Sequence, residues 1–146
     1  MTGTFEITRA PERALDGLPS RNKALVLSAM TSLFQQRDAS AVDHFYSPDY
    51  VQHNPGIPQG RDALRALVAE LAENVYYEPG LMVAEGDLVA IHGRIRGWAD
   101  TPQIVVDIFR VEGGKLAEHW DVLQNEVTAS AASGGISMFE PARHGL

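Results

Sequence analysis

VVDIFRVEGGKLAEHWDVLQ, running from Val105 to Gln124, reads as two strands joined by a tight turn at Glu112-Gly113-Gly114-Lys115. Within its apolar run lie two carboxylates, Asp107 and Asp121, and a histidine, His119. Burying an unpaired carboxylate costs several kcal/mol or shifts its pKa. A hairpin that sets acids among Val, Ile, Phe, Trp and Leu therefore reads as the wall of a pocket. It points to acid–base chemistry, although a polar-lined binding cavity would need the same residues. Whether the two acids meet depends on register. With a one-residue bulge at the Gly113-Gly114 turn Asp107 opposes Asp121; without it Asp107 opposes Trp120.

Upstream, alternation with period two marks strands near 75–84, 88–98 and 103–112, and a last strand covers 115–124. Turn signals at Glu85-Gly86-Asp87 and Asp100-Thr101-Pro102 separate the first three. Before residue 75 the period is helical. Ser20 is a suitable N-cap for a helix to about Gln36, with Val26, Ala29, Met30 and Leu33 as its buried stripe. A short helix is expected over 39–46, then an extended piece from Tyr50 to His53, a loop from Asn54 to Gly60, and a third helix from Arg61 to Glu73 striped by Leu64, Leu67, Val68 and Leu71. Helices first and strands afterwards predict an α+β domain, with three N-terminal helices packed on a curved antiparallel sheet. Residues 1–19, broken by Pro11, Gly17 and Pro19, read as an N-terminal arm; 20–125 form the domain. Residues 126–146 form an irregular tail in which Ile136, Met138 and Phe139 are available to dock.

The strand at 103–112 is apolar on both faces. Ile104, Val106 and Ile108 form one row, and Val105, Asp107, Phe109 and Val111 the other. Helices cover one side of a sheet only, so the Ile104 row needs another cover. A homodimer packing through this convex face supplies it; a central strand lying under the tail is the alternative.

The chain has 146 residues, is 45% hydrophobic, and fits one domain with a sizeable core. A formal charge of -7 disfavours nucleic acid and anionic membranes as partners. No Cys is present, which excludes disulfides, thiolate metal sites and cysteine nucleophiles. The N-terminal sequence lacks a basic, apolar leader and no apolar run reaches bilayer length, so the expected location is cytoplasmic. Nucleotide-binding and serine-nucleophile motifs are absent, and no cofactor is expected. The histidines and aspartates are spread over four elements without metal-site spacing, so no metal is expected either.

Two segments, VQHNPGIPQGRDAL (Val51 to Leu64) and DIFRVEGGKLAEHWDV (Asp107 to Val122), resemble the SnoaL-like branch of the NTF2-like superfamily, with the likeness extending over roughly 20–125. It implies a cone-shaped fold in which a bent sheet wraps a long helix and leaves a pocket open at one end. In the polyketide cyclases of that branch an aspartate on the last strand is the general base of an aldol ring closure, and Asp121 matches it. Those cyclases carry a histidine beside the base where this chain has Asp107. The related limonene epoxide hydrolases carry an Arg-x-Asp pair where this chain reads Ala90-Ile91-His92. Epoxide hydrolysis is therefore not expected.

The expected catalytic residues are Asp121 as general base, Asp107 as its acidic partner, and His92 and His53 at the mouth of the cavity. His92 is placed there by the resemblance alone; periodicity puts it on the outer row with Leu88, Ala90 and Arg94. Asn54, Phe109, His119 and Tyr50 are the expected substrate contacts. The implied function is that of a cofactor-independent cyclase, isomerase or aldol-type enzyme for a small, largely apolar carbonyl compound. The alternative is a non-catalytic module that binds such a ligand.

Overall fold

A computed structural model describes residues 2–142, with side chains from Leu18 onward. Three helices, α1 (Thr2–Phe34), α2 (Ala41–Phe45) and α3 (Arg61–Ala69), pack with strands β1 (Tyr46–Gln52), β2 (Tyr76–Glu85), β3 (Leu88–Arg96), β4 (Gln103–Glu112) and β5 (Lys115–Asn125). The strands form one sheet in the order β1-β5-β4-β3-β2. Its four later strands are antiparallel neighbours, as the sequence implies. The extended piece is longer than expected and adds a fifth strand, β1, parallel to β5. The fold is α+β and cone-shaped, with the sheet curved and unclosed.

Helix α1 does not begin at Ser20. Strong helix formers on both sides, Ala14 and Leu15 before and Lys23 to Leu25 after, carry it through Gly17 and Pro19. The segment expected to be an arm is thus helical in its backbone, and its side chains up to Gly17 lie outside the described residues. Val26, Ala29, Met30 and Leu33 form the buried stripe as read, and Leu64 and Val68 do so on α3. Among the described residues no helix is long and apolar enough to cross a membrane.

Sheet curvature comes from irregular pairing, since an extra residue on one strand bends it and increases its twist. One irregularity falls in β2 between Pro79 and Met82. Another falls in β5, where Arg110 pairs Glu118 but Val111 pairs Leu116, leaving Ala117 as the extra residue. The turn itself is a tight two-residue connection, with φ of +59° at Gly113 and +74° at Gly114. Those angles suit glycine and match strand twist. The bulge required to oppose the acids is therefore present, but three residues beyond the turn. It sets Asp107 directly across from Asp121.

Alternation then divides the sheet into two faces. Val105, Asp107, Phe109 and Val111 face the helices and are buried, whereas Val106 on the convex face is 37% exposed. The tail has no helix or strand through residue 142. It is pinned at Arg94, whose guanidinium meets Glu126 at 2.7 Å and Glu140 at 3.3 Å and lies 4.5 Å from the Phe139 ring centroid. Phe139 also rests over Gly80, where a Cβ would strike the ring. Tail docking thus covers one end of the convex face and leaves the middle bare.

Candidate functional site

Between the concave face and the helices lies a cavity of about 50 Å³. Its wall is mostly apolar, from Met30 and Phe34 on α1, Leu64 on α3 and Val105 and Phe109 on β4. Polar groups enter from four strands: Tyr46, Tyr50 and Gln52 on β1, Tyr77 on β2, Asp107 on β4, and His119 and Asp121 on β5. Concave, apolar space with a few converging polar groups is the usual form of a small-molecule site.

The acids are held in different ways. Asn54 donates its side-chain amide to both oxygens of Asp121, at 3.0 and 2.8 Å, while its own Oδ1 accepts the Gly56 N–H. That second bond fixes which end of the amide faces the carboxylate, so both Asp121 oxygens are held as acceptors. Asp107 instead meets His119, with Oδ1 at 2.7 Å from Nε2. On the other side of the imidazole, Nδ1 lies 2.7 Å from Gln52 Oε1. The Asn54 backbone N–H also donates to Gln52 Oε1, and Gln52 Nε2 donates to the Tyr50 hydroxyl. Gln52 is thereby oriented, and His119 Nδ1 must carry a proton to satisfy it. The short contact at Nε2 requires a second proton, held either by the imidazole or by Asp107. Burial pushes the Asp107 carboxyl up; hydrogen bonding and charge from His119 oppose the rise, and the Asp121 charge adds to it. The cluster is therefore one held carboxylate beside a buried pair that stores a proton.

Asp107, His119 and Asp121 each offer a ligand atom within 4.8 Å of one another, so folding gathers a donor set that the sequence spacing did not suggest. A cation held by all three would have to replace the His119–Asp107 hydrogen bond. His119 Nε2 lies 3.9 Å from the nearer Asp121 oxygen.

Of the residues read from the sequence, Asp121, Asp107, His119, Phe109 and Tyr50 line the cavity, and Asn54 braces Asp121 from its edge. The two remaining histidines do not. His92 pairs with Val106 across β3 and β4 and so projects from the convex face, where its ring stacks on Phe139 at 6.0 Å. Alternation with the buried Ile91 dictates this, and the resemblance-based position at the mouth is corrected. His53 is likewise turned away, because its neighbour Gln52 takes the inward direction. Its Nε2 meets Glu118 at 2.7 Å and its ring lies flat on Trp120 at 4.9 Å. Gln52 and Tyr77 were not singled out by the sequence. Gln52 pairs with a residue 67 positions away, which no local pattern announces. Tyr77 follows Tyr76, and only the register shows which of the two points inward.

None of the curated proteins matches this sequence. Solved structures share the fold at low identity. TsrD from Streptomyces laurentii is 22% identical over 71% of this chain and 88% of its own, with a TM-score of 0.59. A putative polyketide cyclase from Acidithiobacillus ferrooxidans is 16% identical over 70% and 87%, with a TM-score of 0.61. An LEH-like epoxide hydrolase from M. tuberculosis is 19% identical over 73% and 84%, also at 0.61. The model of the SnoaL-like domain matches residues 27–119, more than half of the chain, and takes in every residue that lines the cavity except Asp121 and Leu123. On that match, and with the cone-shaped fold it predicts in place, the chain belongs to the SnoaL-like family.

Proposed function

We propose that this protein is a cofactor-independent acid–base enzyme of the cyclase, isomerase or aldol type, acting on a small, largely apolar carbonyl compound. The observation that carries the reading is the pairing of unlike acids. Asp121, fixed as an acceptor by Asn54, stands opposite Asp107, which holds a proton with His119 inside an apolar cavity. Two neighbouring carboxylates with different environments divide into base and acid. Asp121 removes a proton from the carbon next to the carbonyl; the Asp107–His119 pair supplies or recovers one as the bond order shifts. Apolar walls suit a hydrocarbon frame and keep competing water away.

The test is exchange of α-hydrogens. Small ketones of graded size incubated with the protein in D2O should incorporate deuterium faster than in buffer alone, with a size limit set by the cavity. Binding without any exchange would instead support the rival reading, a ligand-binding module. That rival draws on the same network, because Gln52, His119 and Asp107 satisfy one another without a substrate.

A homodimer belongs to the same proposal. Val83, Ala90, Ile108 and Trp120 are aligned across four strands on the convex face, beside Val106 and Val122. Val83 is 67% and Val122 74% exposed. Contiguous apolar surface of this kind on a sheet suits a second copy of the chain. Light scattering at micromolar concentration should give twice the chain mass, and Val122→Glu should return it to the monomer. A wild-type monomer would remove this part of the account.

A further inference from the structure

Among the described residues, the Tyr77 hydroxyl is the one fully buried side-chain oxygen without a hydrogen-bond partner, and Tyr77 is one of the residues that line the cavity. A phenylalanine would fill the same space without stripping water from a hydroxyl, so the oxygen is a standing cost to the empty protein. Its position is firmly set. The β2 backbone at Tyr77 accepts the Gln35 side-chain amide at 2.8 Å and pairs with Ile95. The ring lies across Gly93 so closely that a Cβ there would overlap the ring and the hydroxyl. Gly93 thus clears the space in which the phenol is held.

Groups that the sequence offered for holding a ligand oxygen are committed elsewhere. Asn54 is bound to Asp121, His53 to Glu118, and His92 lies on the opposite face. Gln52 spends its amide on the Tyr50 hydroxyl. We propose that Tyr77 donates its hydroxyl proton in a hydrogen bond to an oxygen of the ligand, which must therefore carry a carbonyl at its deeply inserted end. The assignment rests on the acid–base reading above. As Asp121 takes the α-proton, the C–H bond breaks, its electron pair enters the new C=C bond, and the carbonyl π pair moves to oxygen. The enolate oxygen so formed is a stronger acceptor than the ketone, and Tyr77 stabilises it without giving up its proton. Burial, with the nearby Asp107 charge, pushes the phenol up and keeps it a donor.

The experiment uses two probes of nearly equal shape, 1-indanone and indane, titrated into the full-length protein and into Tyr77→Phe. The wild type should bind the ketone about 10-fold more tightly than the hydrocarbon, the value of one buried hydrogen bond with its partner satisfied. Tyr77→Phe should lose that preference while binding indane at least as well. Its melting temperature should equal or exceed that of the wild type, because the unpaired hydroxyl is gone. The carbonyl stretch of bound 13C-labelled indanone should move to lower frequency in the wild type and revert in the variant. Retention of the preference by Tyr77→Phe, or a wild type that binds neither probe or both alike, overturns the proposal. α-Hydrogen exchange of the same ketone reports separately on Asp121. Lost preference in Tyr77→Phe with no exchange by wild type leaves the anchor standing and removes the base.

Discussion

Asp121→Asn should lower α-hydrogen exchange, or any turnover found, by about 10²-fold or more, with fold and oligomeric state unchanged. The amide is nearly isosteric with the carboxylate but cannot accept the proton. Its effect on structure should be small, because Asn54 has been donating to oxygens and one amide oxygen remains to receive it. Circular dichroism and light scattering establish that the variant is folded and assembled; the exchange rate then reads the chemistry alone. Full activity in a folded Asp121→Asn would assign the base to another group.

Asp107→Asn should reduce the same rate by about 10²-fold and change its pH dependence. The substitution removes the group that stores and returns the proton, so the alkaline limb of the profile should disappear. Stability should respond as well. A carboxyl raised in the folded state holds its proton more tightly there than in the unfolded chain, where the reference value is 3.8. Its contribution is fully present below that value and is lost as pH rises through the folded pKa. Wild-type stability should therefore carry a downward component with rising pH from about pH 4, and Asp107→Asn should flatten it. Denaturant titrations at a series of pH values make the comparison; an unchanged slope would place Asp107 outside the proton-storing pair.

Much of this site was legible in the hairpin from 105 to 124. Alternation alone assigned Val105, Asp107 and Phe109 to one face and Ile104, Val106 and Ile108 to the other. The parity of His119, Trp120 and Asp121 followed in the same way. What alternation could not supply was the register, because the extra residue at Ala117 leaves no mark in a run of ordinary strand formers. Once it is present, two acids separated by fourteen positions become neighbours. His92 teaches the reverse. Its row was readable from Leu88, Ala90 and Arg94, and the resemblance drew it to the wrong face. Gln52 was hidden for a different reason: its role depends on the parallel pairing of β1 with β5, a contact between distant parts of the chain. Tyr77 was hidden by its neighbour Tyr76, since either could have been the inward residue.

NMR titration of the Asp107 carboxyl in the wild type and in Asp121→Asn tests most directly whether the two acids form one site. The account predicts that Asp107 titrates above the ordinary aspartate range because it is buried, and that Asp121→Asn, by removing a neighbouring charge, moves the Asp107 titration to lower pH. Mutual repulsion at close range is large enough to couple them in this way. An Asp107 titration in the ordinary aspartate range near pH 4, unmoved by Asp121→Asn, would contradict the paired acids on which the proposed chemistry stands.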